Sequence, residues 1–209
     1  MDKYNETFET WNKMAKLYED KFMNMDLYNE TYDFICRYIA KENAKILEIG
    51  CGPGNITKYL LSKRPDFKIL GTDIAPNMIE LAKKNNPTAD FAVMDARKIG
   101  ELNTKFDGII AGFCLPYLSV SESKQFIVNA NHLLTDKGLI YISFVEGNPT
   151  SSDFKTNGNG DRVYFQYHEL KTLQIMLNSN GFTDSKIFKI TYNKSGTETD
   201  VHTVVIAFK

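Results

Sequence analysis

At 209 residues, with 43% apolar and 24% charged side chains, the chain has the composition of one globular domain able to bury a core, which excludes disorder. Its 25 lysines and arginines are balanced by 26 aspartates and glutamates, so no basic surplus draws it to nucleic acid or an anionic membrane. The stretch Met1–Glu6 lacks the apolar centre of a signal peptide, and no uncharged run approaches the roughly 20 residues that span a bilayer. Three separated cysteines (Cys36, Cys51, Cys114) without metal-ligand spacing fit reduced thiols, so the expected compartment is the cytoplasm and no metal is expected.

Residues 5–41 read as two helices. Phe8, Trp11, Ala15, Tyr18 and Phe22 recur at three- and four-residue intervals, as do Leu27, Thr31, Phe34, Ile35, Tyr38 and Ile39. Such a stripe is ordinarily packing surface, yet the tyrosines are more numerous than packing requires. From Ala44 the pattern alternates. Strands are expected near 45–50, 67–72, 89–94, 106–112 and 138–145, and helices near 55–64, 76–85, 121–135 and 167–180. Alternation of this kind implies a parallel sheet covered on both faces, with ligands beyond the carboxyl ends of its strands. Residues 186–191 and 200–208, around Asn193-Lys194-Ser195-Gly196, read as a closing hairpin. Between them and the fifth strand lies a segment, 146–161, rich in Gly, Asn, Ser and Thr; it reads as a long irregular loop at the ligand edge.

The chemistry concentrates at Ile46-Leu47-Glu48-Ile49-Gly50-Cys51-Gly52-Pro53-Gly54-Asn55, a strand, a glycine turn and a helix start. Glycine lets backbone approach a ligand closely, and the first N–H groups of the helix favour a negative group such as a carboxylate. Glu48 interrupts an otherwise apolar strand, and a buried carboxylate needs a cationic or donor-rich partner. Alternatively, it sits at a frayed strand end facing water. The turn lacks the Gly-Lys-Ser/Thr ending of a phosphate loop, and Asn55 stands where the dinucleotide fingerprint needs its third glycine. Asp73 ends the second strand, at the distance where a carboxylate holds a ribose diol; Pro76 puts the following helix cap nearer Ala75.

Glu-Ile-Gly-Cys-Gly-Pro-Gly resembles the first motif of the class I S-adenosylmethionine-dependent methyltransferases, and looser likeness extends over about residues 44–208. The resemblance implies a Rossmann-like α/β fold: a seven-stranded, mostly parallel sheet with helices on both faces and a C-terminal antiparallel hairpin. It also implies a single domain, with an N-terminal helical lid over 1–43 and a cofactor-binding core over 44–209. S-adenosylmethionine is the implied cofactor and S-adenosylhomocysteine the product. Glu48 would help hold the cofactor's ammonium, with Gly50, Cys51, Gly52 and Gly54 wrapping its methionine end and Tyr18 lying over it. Asp95 would meet the adenine amino group and the Ala96 N–H a ring nitrogen, with Ile74 and Met78 against the base; Asp95 could instead cap a short turn. Carbonyls near Ala111 or Phe113 would accept from the ammonium.

The implied reaction is methyl transfer to an oxygen or nitrogen of a small molecule. Cys114-Leu115-Pro116-Tyr117 lacks the amide or carboxylate that DNA-base methyltransferases carry there, which argues against nucleic acid. Tyr18, Tyr117, Tyr164 and Tyr167 are expected to wall the acceptor pocket, and His168, with Tyr117, is the candidate catalytic pair. His132 is expected to face solvent and His202 to lie far from the site. Cys51 and Cys114 read as small apolar filler. Other readings are a cofactor-binding regulatory or scaffold module, a protein or RNA methyltransferase, and a nicotinamide oxidoreductase, the last opposed by Asn55.

Overall fold

The computed structural model describes residues 3–193 and 199–209. Two helices, α1 (Lys3–Phe22) and α2 (Asn29–Tyr38), precede β1 (Lys45–Ile49), α3 (Asn55–Lys63), β2 (Lys68–Asp73), α4 (Pro76–Asn85) and β3 (Asp90–Val93). Then come β4 (Phe106–Gly112), α5 (Val120–Leu133), β5 (Leu134–Val145), β6 (Asp153–Thr156), β7 (Arg162–Phe165), α6 (Leu170–Ser179), β8 (Asp184–Asn193) and β9 (Thr199–Phe208). Seven strands form one sheet in the order β3-β2-β1-β4-β5-β9-β8. The first four pairings are parallel; β9 runs antiparallel between β5 and β8. The expected sheet and closing hairpin are both present, while the turn at Lys194-Ser195-Gly196 lies outside the described residues.

Both faces of the sheet are covered, which is why β4 is buried almost throughout rather than alternating. On one face Phe126, Ile127, Leu173 and Leu177 of α5 and α6 meet Ile109, Ile140 and Ile142. On the other, Tyr32, Ile35, Ile56 and Leu60 of α2 and α3 meet Ile46, Ile110 and Tyr141. A capping box of Ser119 and Glu122 starts α5, satisfying N–H groups that the first helical turn leaves unpaired. The order reverses on either side of β1, so the ends of β1 and β4 open the crevice where such sheets hold ligands.

Two expectations change. Residues 146–161 are not irregular: Pro149–Ser151 form a short 3-10 turn, and Asp153–Thr156 pair antiparallel with Arg162–Phe165 as a two-stranded sheet of their own. Turn-forming Asn and Gly at 157–160 hid the hairpin, because the flanking strands are short and at most half-buried. Strand β5 also starts at Leu134 rather than 138; Leu134 pairs with Phe106, and the register shift before Gly108 absorbs the residues between.

Helix α1 lies across the open edge as a strap. Asn12 Oδ1 accepts from Asn77 N at the start of α4 (2.9 Å). At the other side Thr10 Oγ1 donates to the Arg162 carbonyl (2.8 Å), Tyr164 N donates to Thr7 Oγ1 (2.9 Å), and Arg162 pairs with Glu6. Among the described residues, no helix is long and apolar enough to cross a membrane.

Candidate active site

The β1–α3 turn bends through left-handed backbone at Gly50, Gly52 and Gly54, with φ of 66°, 52° and 83°. Only glycine adopts such angles cheaply, and the bend sends the Gly52 N–H to Asp73 Oδ2 at 2.9 Å. The other oxygen of Asp73 accepts from Ala75 N (2.9 Å), so the carboxylate stitches two loops together; Ala75, not Asp73, is the N-cap of α4. Burial raises the Asp73 carboxyl above the usual carboxylate range, and these backbone donors oppose the rise.

Glu48 is fully buried, which excludes the frayed strand end. Thr57 Oγ1 of α3 donates to its Oε2, while Oε1 has no hydrogen-bond partner among the described residues. Burial pushes the carboxyl up to about 8; the Thr57 bond opposes this and the nearby Asp73 charge adds to it. A buried acceptor left unpaired costs roughly 1–3 kcal/mol, so it marks where a donor group is missing.

Two cavities meet at this turn. The smaller, about 140 Å³, is lined by Asp73, Ile74, Met78, Asp95, Ala96 and Arg97 among others. The larger, about 420 Å³, has Glu48 and Asn55 at one end and Tyr28, Tyr192, Asp200 and His202 in its walls. Trp11, Tyr18, Gly50, Gly112, Phe113 and Tyr117 border both, so the β1 and β4 tips and the α1 strap frame their junction. The ring of Tyr18 stands 3.6 Å from where a Cβ on Gly52 would be.

Of the residues singled out by sequence, Glu48, Gly50, Gly52, Asp73, Ile74, Met78, Ala96, Phe113, Tyr18, Tyr117 and Tyr167 border one or both cavities. Cys51, Gly54 and Ala111 stand behind them: Cys51 packs with Ile79 and Phe91, Gly54 begins α3, and Ala111 is buried in the sheet core. Cys114, also a free thiol, borders the smaller cavity, and burial raises it to about 12. Exposed His132 stands on α5, as expected.

Three expectations need correction, and the alternative stated for Asp95 is also met. His168 does not reach the cavities: it is buried, its Nε2 bonded to the Leu115 carbonyl at 2.9 Å and its ring edge-on to Phe144. Burial lowers its pKa, leaving a neutral imidazole that ties β7's exit to the turn after β4. Tyr164 faces away from the larger cavity, with the Lys3 ammonium 4.2 Å from its ring centre. Successive strand residues point to opposite faces, so its neighbour Phe165 takes the wall position instead. Asp95 borders the smaller cavity, but both its oxygens bind the Arg97 guanidinium and one also caps the turn at Arg97 N (2.9 Å). Burial raises its carboxyl and Arg97 more than offsets this, holding it below the usual range; the turn-capping role therefore stands beside the expected adenine contact. His202, expected far away, lines the larger cavity. Antiparallel β9 carries it opposite Val145, at the carboxyl end of β5, and an antiparallel placement of the last strand was the signal that could have found it.

A family model described as a methyltransferase domain matches residues 46–138, the glycine turn through β4 and α5. An uncharacterized methyltransferase of Alkaliphilus oremlandii is 26% identical over 182 residues, covering 82% of each chain. Over residues 46–138 the chain is thus similar to methyltransferase domains. A malonyl-[acyl-carrier protein] O-methyltransferase of Acetivibrio thermocellus is 43% identical over 74 residues, 34% of this chain and 26% of that protein. The fold matches magnesium protoporphyrin IX methyltransferase of Synechocystis PCC 6803, solved with bound S-adenosylmethionine, at a TM-score of 0.72 and 16% identity over 100% of this chain and 98% of that one. The chain spans less than half the length of the first curated relatives it matches.

Proposed function

We propose that this chain binds S-adenosylmethionine across both cavities and transfers its methyl group to an oxygen or nitrogen of a small molecule in the larger one. The observation that carries this reading is the unpaired Glu48 Oε1, buried at the end of the larger cavity where an ammonium would complete it. Asp73, at the smaller cavity, is the acceptor for a ribose diol; Ile74 and Met78 supply an apolar bed for the base, and the Ala96 N–H a donor at its edge.

The cofactor, when bound, supplies an activated methyl carbon on a positive sulfonium. The chain supplies position and dryness. Tyr18, Trp11 and Phe113 present aromatic rings at the junction of the cavities, where a cation gains about 0.5–2 kcal/mol from ring faces. Helix α1 lies over the site, held by Asn12 at α4 and Thr10 at Arg162, and orientation of two reactants can supply up to about 7–11 kcal/mol of acceleration. The small-molecule class is supported by the aromatic walls of the larger cavity and by relatives named for acyl-carrier and trans-aconitate methylation.

Two measurements test it. S-adenosylhomocysteine should raise the melting temperature and NAD should not, since a ligand at 100 times its Kd adds about 2.7 kcal/mol. Labelled cofactor incubated with fractionated cell extract should then mark a low-molecular-weight product. Label on protein or RNA would move the acceptor to a macromolecule, and binding without transfer would make the chain a cofactor-binding module.

A further inference from the structure

On the acceptor side of the larger cavity, His202 and Tyr28 form a hydrogen-bonded pair, Nδ1 to hydroxyl, at 2.6 Å. Both are buried, on elements far apart in sequence: Tyr28 just ahead of α2, His202 on β9. The imidazole is stacked on Tyr192 (ring centres 4.8 Å, planes 13° apart) and stands edge-on to Phe113 (4.8 Å). It is therefore fixed in orientation beside the residue that borders both cavities. Asp200, two residues earlier on the same face of β9, lines the cavity too, and Lys155 enters from the β6–β7 hairpin beside Tyr167. Tyr18, Tyr32, Tyr117 and Glu48 complete the titratable groups of its walls. The Glu146–Lys189 pair bonds Thr203, which points to the opposite face of β9.

Resting on the methyl-transfer reading of the same site, we infer that Tyr28 and His202 take up the proton of an acceptor hydroxyl carried on a planar ring. A carboxylate acceptor, already ionised, needs no such pair; a phenolic or enolic hydroxyl does. The ring follows from the walls, because Tyr28, Tyr32, Phe113, Phe165, Tyr167 and Tyr192 offer faces and edges to a flat apolar molecule.

With the ring proton of His202 on Nε2, Nδ1 accepts from the Tyr28 hydroxyl. As the acceptor oxygen bonds the methyl carbon, the carbon–sulfur bond breaks and its electrons stay on sulfur, which becomes a thioether. The acceptor's proton passes to the Tyr28 oxygen, and the proton Tyr28 held moves to Nδ1, leaving an imidazolium. Charge is conserved: one positive centre, the sulfonium, is lost and one, the imidazolium, is gained. Tyr28 touches the acceptor, and His202 is the positioning residue behind it.

The test uses 4-nitrophenol, whose phenol and phenolate absorb at different wavelengths, on the full chain saturated with S-adenosylhomocysteine. Calorimetry first measures S-adenosylhomocysteine binding to the native chain and to His202→Asn and Tyr28→Phe. The native complex should bind 4-nitrophenol as phenolate at a pH about one unit below its solution pKa. Each variant should bind S-adenosylhomocysteine within twofold of native and lose the phenolate band at least tenfold. If one variant does not fold, the other decides. The inference is overturned if the native complex binds no phenol or binds it without the band, if the variants keep the band, or if both variants lose S-adenosylhomocysteine affinity. Failure of the native chain to bind S-adenosylhomocysteine at all would instead overturn the methyl-transfer reading.

Discussion

Thr57 Oγ1, in the first turn of α3, donates to Glu48 Oε2 at the end of β1 and leaves the other carboxylate oxygen bare. Because burial lifts the Glu48 carboxyl from 4.5 to about 8, the folded chain holds that proton more tightly than the unfolded chain does. Stability from this group is full below pH 4.5, is lost as pH rises, and is gone above about 8. The loss is at most about 5 kcal/mol. Glu48→Gln keeps an oxygen for Thr57 and removes the charge. Its melting temperature should match the native chain at pH 4.5 and exceed it by several degrees at pH 8.5. A lower melting temperature at pH 8.5 would contradict the assignment.

The same carboxyl should couple cofactor binding to proton release. Near pH 7 it is mostly protonated, whereas an ammonium ligand needs it ionised. Affinity for S-adenosylhomocysteine should therefore rise between pH 6 and about pH 8, and calorimetric heats at pH 7 should differ between phosphate and Tris by the ionisation heat of a released proton. Equal heats in the two buffers would remove Glu48 from the ammonium site.

Asp73→Asn should weaken S-adenosylhomocysteine at least tenfold, because a charge-assisted hydrogen bond contributes about 1.5–3 kcal/mol. The asparagine can still accept one of the bonds from Gly52 and Ala75, which keeps the loops near their native places. Unchanged affinity by calorimetry would take Asp73 out of the ribose contact.

How far the sequence carried depended on whether chemistry was local. The strand–glycine–helix unit is set by Glu48, Gly50, Gly52 and Gly54 within a few residues, so the sheet, its order-reversal crevice and the cofactor end were readable. The acceptor end is assembled from α1, β7, β8 and β9, whose juxtaposition depends on how distant segments pair. His168 and His202 show the difference. His168 follows an aromatic run and His202 does not, yet tertiary placement turned the first toward Leu115 and the second into the cavity. Tyr164 failed for a smaller reason, the two-residue period of a strand whose facing side the sequence leaves open.

Trp11 is the single tryptophan and borders both cavities, edge-on to Tyr18 at 5.6 Å and to Tyr117 at 5.8 Å. Its emission should shift or quench on titration with S-adenosylhomocysteine, and Trp11→Phe should abolish the signal. A spectrum that does not move while calorimetry shows binding would place the ligand away from α1.

Gly54→Ala should destabilise the chain by about 1–2 kcal/mol from backbone strain alone, since φ is 83° there. The added Cβ would also come 2.4 Å from Asn86 Nδ2, which now donates to the Gly54 carbonyl. Urea midpoints of the two chains measure the sum, and equal midpoints would show the turn to be free of strain.

Trp11 belongs to the first helix of the chain and His202 to its last strand, and the larger cavity needs both. A ribosome therefore finishes the glycine turn early in synthesis, yet cannot finish the chamber until β9 has left the exit tunnel. Copies in which β9 has not yet emerged would hold the glycine turn but lack the wall that Asp200 and His202 give the larger cavity, so that chamber forms only after both ends of the fold have been made.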